Sequence, residues 1–167
     1  KQLSFKVTSF DYDNHSVLAT KSLKSKFYEN DKNWSISQGS ILDNSFVNNF
    51  KSKFDIVYSW GVLHHTGNMI EAFNNISGLV KREGCLVISI YNDQGILSSY
   101  WKVVKKLYNI NIILKFLIIV IHFPYFMLLR PLKKILINKK LIDNRGMIFW
   151  YDYIDWLGGY PFEVATK

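Results

Sequence analysis

Cysteine is almost missing from this chain of 167 residues: Cys85 is the only one. A single thiol excludes an internal disulfide, and no Cys/His/Asp set at zinc spacing accompanies it. Cys85 lies in the apolar run Gly84–Ile90, so it is expected as a buried, reduced core thiol. Internal repeats and low-complexity segments are also absent. No signal peptide is visible, and the chain starts at Lys1 rather than Met, so it is expected to begin inside a longer protein. An unbroken apolar run of spanning length is lacking too. Ile110–Leu129 is strongly apolar but is interrupted by Lys115, His122 and Pro124. A spanning helix wants ~20 apolar residues with few or no charges. Two helices or one kinked helix are therefore expected, forming a lid that buries Phe116, Leu117, Val120 and Ile121.

What the chain does have is apolar mass. Its hydrophobic content is 49%, with five Trp, ten Tyr and twelve Phe, which argues against disorder and suits one domain with a sizeable core. The net charge of +8 would suit nucleic acid or anionic lipid. The lysines are spread through helices and loops, with short clusters at Lys102–Lys106 and Lys133–Lys140. Solvated lysine is the reading, and no nucleic-acid partner is expected. A cytoplasmic location is expected, with peripheral membrane contact as an option and the oligomeric state open.

Phe5–Phe10 reads as a strand ending in Asp11-Tyr12-Asp13. Asn14–Tyr28 reads as a helix capped by Asp13 or Asn14. Trp34–Gln38 is a short strand closed by Gly39-Ser40, and Asn44–Ser52 is a short helix or loop. Phe54–Ser59 is a strand and Asn68–Leu79 a helix. Lys81–Gly84 reads as a turn, and Cys85–Tyr91 as another buried strand. This order points to a mainly parallel sheet covered by helices. From Gln94 the character changes: Ser98–Tyr108 looks helical, with Trp101, Val104, Lys105 and Tyr108 on adjoining faces. Two parts are expected, residues 1–95 as an α/β core and 96–167 as a helical apolar insert with an aromatic lid.

The stretch Phe54–Gly67, FDIVYSWGVLHHTG, places polar and aromatic groups where a strand stops, which is where open α/β sheets bind ligands. His64-His65 is too short a pair for an i, i+4 metal site, so no metal is expected. Either His could accept a proton near neutral pH or simply order the loop. Asp11, at the end of the first strand, could receive ribose hydroxyls or serve the following helix as a cap.

The run FDIVYSWGVLHH resembles the fourth strand and following loop of class I S-adenosylmethionine-dependent methyltransferases, in the branch related to the ubiquinone-biosynthesis methylases. VTSFDYD before a helix, YNDQG at 91–95, and the tail WYDYIDWLGGYPFEVA at 150–165 resemble the same branch. The resemblance implies a partial Rossmann-like methyltransferase sheet and S-adenosylmethionine as cofactor. It implies Asp11 on the ribose, Tyr12 near the adenine, and Ser40 with the Ile41 N–H at the adenine edge. Ser40 stands where the family commonly has Asp, so a simple turn with Asp43 as a cap stays open. Ser59, Trp60 and Gly61 are implied to line the methionine part. Asn92, Trp156 and Tyr160 are implied on the acceptor side, with a small or lipid-like acceptor.

The family's first strand and its glycine-rich E/D-x-G-x-G-x-G loop do not occur in these 167 residues; Gly158-Gly159 is the only Gly pair. The family's last two strands are missing as well. Because the first strand normally sits between the second and fourth, its loss is expected to leave exposed sheet edges or a non-native pairing. The chain reads as a methyltransferase fragment, itself inactive. A non-catalytic methyltransferase-like remnant is the second reading, and a membrane-surface protein the third.

Overall fold

Alternation of capped helices with short β-rich runs is realised as four strands and six α-helices among the residues described. A computed structural model describes residues 5–129, 132 and 149–166. The chain divides into two compact units, one made of residues 1–59 and 70–88, the other of 60–69 and 89–167.

In the first unit, β1 (Val7–Asp11) and β2 (Trp34–Gln38) pair in parallel, from Val7 opposite Trp34 to Asp11 opposite Gln38. Helix α1 (Asn14–Phe27) connects them. Its N-cap is Asp13, whose carboxylate accepts from the Ser16 N–H at 2.9 Å. That bond, with the Ser16 hydroxyl beside it, holds the carboxyl below its ordinary range. Helix α2 (Asn44–Asn48) is capped in the same way by Asp43. Phe46 and Phe50, around α2, stand between Phe10 of β1 and Phe54 of β3 (Phe54–Trp60). Ring centroids are 5.1 Å apart for Phe10–Phe46 and 6.0 Å for Phe50–Phe54, spacings at which aromatic rings attract beyond their buried area. Gly39 is required beneath this ladder, because a Cβ there would lie 2.3 Å from the Phe46 ring.

Helix α3 (Met69–Ser77) buries Ala72 and Ile76, and β4 (Val80–Ser89) pairs with β3. Among the described residues no ladder joins β1–β2 to β3–β4. The sheet is therefore two parallel pairs. On β3, Val57 and Ser59 are buried, whereas Ile56 and Tyr58 are 61% and 67% exposed, so one face of the strand is covered and the other is not.

Two sequence expectations fail in this unit. Lys81–Gly84 is part of β4 rather than a turn, because the Phe54 N–H already bonds Leu79 O at 3.2 Å and the pairing starts there. Gly84 allows it: a Cβ would lie 2.8 Å from Asp55 O. Cys85 is exposed, not a core thiol. It lies on the face of β4 that the described elements leave uncovered.

The second unit is built on α4 (Ile96–Tyr108), α5 (Ile112–Pro124) and α6 (Phe149–Gly158). Trp101, Val104, Lys105 and Tyr108 form one buried stripe of α4. Helix α5 continues past Pro124 as a widened π-type turn, Tyr125–Leu129. The expected lid packing is wrong here. Phe116, Leu117, Val120 and Ile121 are exposed, and Ile118, His122 and Phe126 are the buried residues. The inward stripe is chosen by hydrogen bonds. His122 Nδ1–H donates to Ile118 O at 2.8 Å, its Nε2 accepts from the Tyr100 hydroxyl at 2.6 Å, and the Tyr153 hydroxyl donates to Ile119 O at 2.5 Å. Residues 143–148 of the aromatic tail lie outside the described residues.

Candidate functional site

In the first unit the carboxyl ends of β1 and β2 bring together Asp11, Tyr12 and residues 38–41. The Gly39 N–H donates to Asp11 O at 3.0 Å, and Gln38 Nε2 donates to Tyr12 O at 3.1 Å. Asp11 is exposed, and its Oδ1 accepts from the Asp13 N–H at 2.9 Å. Asp13 serves as the cap, so Asp11 is relieved of that role. The Tyr12 ring is 78% exposed. Ser40 Oγ accepts from the Leu42 N–H at 3.1 Å, closing a tight turn that leads to Asp43. Ile41 is buried, and its carbonyl accepts from Asn75 Nδ2 at 2.8 Å. Ser59 is buried near the end of β3.

These groups fit the nucleoside half of a nucleoside ligand. An exposed carboxylate at a strand end can accept from two ribose hydroxyls, and an open aromatic ring can stack on a base. They do not supply the other half. The described residues include no glycine-rich turn with successive N–H groups facing one point. Gly61, with φ of +75°, has nothing within 4 Å of where a Cβ would stand.

Trp60, Gly61, His64, His65, Asn92, Trp156 and Tyr160 all belong to the second unit. There, two sequence motifs roughly 95 residues apart meet. The turn around His64 is strapped by residues 159–165: the Glu163 N–H donates to His64 O at 2.9 Å, and Glu163 Oε2 accepts from the Met69 N–H at 3.0 Å, at the start of α3. The Ala165 N–H donates to Tyr91 O, and the Asp93 N–H to Ala165 O. His65 Nδ1–H donates to Pro161 O at 2.6 Å, which leaves Nε2 as the unprotonated nitrogen of the neutral ring. Gly159 lets that ring in, since a Cβ there would lie 3.0 Å from His65 Cε1. The Gly-Gly-Tyr-Pro-Phe-Glu order is thus explained by the histidine turn it covers.

His64 is 1% exposed, and neither ring nitrogen has a hydrogen-bond partner. Its ring lies 4.0 Å from that of Tyr91, centroid to centroid. Burial, then the positive charges of His65 and Lys105, push its pKa down to about 4. His64 is therefore neutral at physiological pH. Burial also lowers the pKa of His65, against the opposing hydrogen bond to Pro161.

Lys105 is the residue that sequence reasoning placed on α4 without a role. Its ammonium is 1% exposed, donates to Trp156 O, and stands 4.4 Å from the Trp156 ring centroid and 5.1 Å from that of Phe162. Burial lowers its pKa to about 8. The signal was available: a lysine on an otherwise apolar helical stripe is either displaced or boxed by aromatics.

Beside this cluster is a cavity of about 280 Å³, walled by Tyr91, Trp101, Trp156 and Phe162 with Asn92 and Ser98 as polar groups. Of the expected acceptor residues, Asn92 and Trp156 line it; Tyr160 is 43% exposed and does not. His64 and His65 are not among its lining residues, but Tyr91, which touches His64, is. Among the described residues no group of three or more His, Cys, Asp or Glu could hold a metal.

The chain belongs to the methyltransferase-domain family, whose profile matches residues 2–86. The solved structure of the trans-methyltransferase CalH in complex with SAH is similar at 24% identity and a TM-score of 0.42. That alignment covers 53% of this chain and 24% of the other. No curated protein matches.

Proposed function

We propose that this chain is the donor-nucleoside and acceptor part of an S-adenosylmethionine-dependent methyltransferase that acts on a small or lipid-like acceptor. Membership of the methyltransferase-domain family is the observation that carries the reading. Asp11 holds the ribose hydroxyls, Tyr12 packs on the adenine, Ser40 and the Ile41 N–H meet its edge, and Ser59, Trp60 and Gly61 follow the methionine part. When bound, the cofactor supplies a methyl group activated on a sulfonium. Transfer of that methyl needs alignment and a dry site more than an elaborate acid–base set. The aromatic walls Trp101, Trp156 and Phe162 supply the dry site, and Asn92 orients an acceptor by hydrogen bonding. His64 and His65 hold Tyr91 and the strap in place.

The absent glycine-rich loop favours a second reading, a non-catalytic methyltransferase-like module. Calorimetric titration of S-adenosylmethionine into the chain separates the two. The proposal expects weak binding, with Kd of roughly 0.1–1 mM, because the nucleoside contacts are present and the backbone contacts of a glycine-rich loop to the methionine end are not. Replacing Asp11 with Ala abolishes it. No binding at millimolar donor favours the non-catalytic module. Micromolar binding would show that the glycine loop is dispensable and that the division of the site is wrong.

A further inference from the structure

The positive charge of the chain is concentrated in one stretch. Residues 96–140 contain nine Lys and Arg and no Asp or Glu, while the other twelve basic residues are matched by all thirteen acids. The same stretch carries an apolar face turned to solvent. On α5, Phe116 and Ile121 are 65% and 66% exposed, and Ile112, Ile113 and Val120 are exposed beside them. On α4, Lys102 and Lys106 are exposed, and Lys115 of α5 stands 5.2 Å from the Tyr108 ring centroid. Exposed apolar residues and exposed cations thus occur together on the α4–α5 pair.

We propose that the exposed face of α5, with Lys102, Lys106 and Lys115 of the α4–α5 pair, docks in-plane on the surface of an anionic bilayer. Large exposed apolar surface marks an interaction site, and an apolar face bordered by lysine suits a headgroup layer carrying negative charge. A second copy of the chain is disfavoured as the occupant, because it would bring the same acid-free stretch face to face with itself. A span is disfavoured by the helix's own bonds. The helix Ile112–Leu129 is long and apolar enough to cross a membrane, at 18 residues and a mean hydropathy of 2.3. Crossing would strip His122 from Tyr100 and Ile119 O from Tyr153, and would carry Lys115 into hydrocarbon. Lying flat keeps all three. The proposal does not depend on whether the chain transfers methyl groups.

Flotation of the full chain with vesicles of phosphatidylcholine, alone or mixed with phosphatidylglycerol, tests it. The expected result is flotation with the mixed vesicles, at least ~tenfold weaker with phosphatidylcholine alone, and release by high salt or alkaline carbonate. Phe116→Glu with Ile121→Glu reduces binding by ~tenfold or more, since both side chains lose their place in the apolar layer. Lys102→Glu with Lys106→Glu, at exposed positions that cannot disturb the core, weakens binding to the mixed vesicles alone. Leu23→Glu, on the exposed side of α1, leaves binding unchanged. The proposal is overturned by failure to float with anionic vesicles, or by equal binding to both kinds. Retention after carbonate, or a stable dimer that the Phe116/Ile121 variant dissociates, overturns it equally.

Discussion

His64 makes the second unit sensitive to acid. Its ring is enclosed, has no hydrogen-bond partner and has a pKa pushed down to about 4 from 6.5. In the unfolded chain the imidazole takes up a proton near its ordinary value, but in the folded chain it resists down to about pH 4. The unfolded state therefore binds more protons across this window. The stability attributable to His64 is fully present above about pH 6.5 and is lost as pH falls toward about 4. Between about pH 7 and about pH 5 the loss is up to ~2 kcal/mol, from nearly 1.4 units of differential protonation at 1.36 kcal/mol each. His64→Phe removes the titration and breaks no hydrogen bond. The variant should match or exceed the wild type at about pH 7, since an unpartnered buried imidazole is itself costly by ~1–3 kcal/mol. Urea denaturation of both proteins at the two pH values measures the difference. Equal loss of stability by wild type and variant would refute the reasoning.

Lys105 has the same sign of pKa shift at the alkaline end. Its folded pKa of about 8 against 10.5 unfolded means that wild type gains stability as pH rises from about 7.5 to about 10, by up to ~2 kcal/mol relative to Lys105→Met. Parallel denaturation curves with pH would contradict the burial of the amine. Gly159→Ala should lower stability by ~1–3 kcal/mol, because the new methyl meets a His65 ring that is pinned to Pro161 and cannot yield. An unchanged Tm would show that the strap is looser than described.

The strand and helix order was legible because punctuation decides it locally. Asp13 and Asp43 announce helices, and Gly39 and Gly61 end strands. Cys85 was misread because burial of a strand depends on what covers it, and its apolar neighbours Leu86–Ile90 carry no information about that. The inward face of α5 was misread for a related reason. Residues 112–124 are apolar nearly all round, so periodicity cannot select a face. The selection was made by His122, which the sequence reading treated only as an interruption. The meeting of the histidine turn with the Gly-Gly-Tyr-Pro-Phe-Glu strap is long-range and was visible only as two separate motifs. Lys105 was visible as an oddity on its stripe, and its aromatic box needed the tertiary fold.

Amide chemical-shift mapping during titration with S-adenosylhomocysteine tests the central claim most directly. The account predicts binding with Kd of roughly 0.1–1 mM and shifts at residues 11–13 and 38–41, and at 59–61, all abolished by Asp11→Ala. Shifts confined to other residues, or none at saturating ligand, would contradict a methyl-donor site at the ends of these strands.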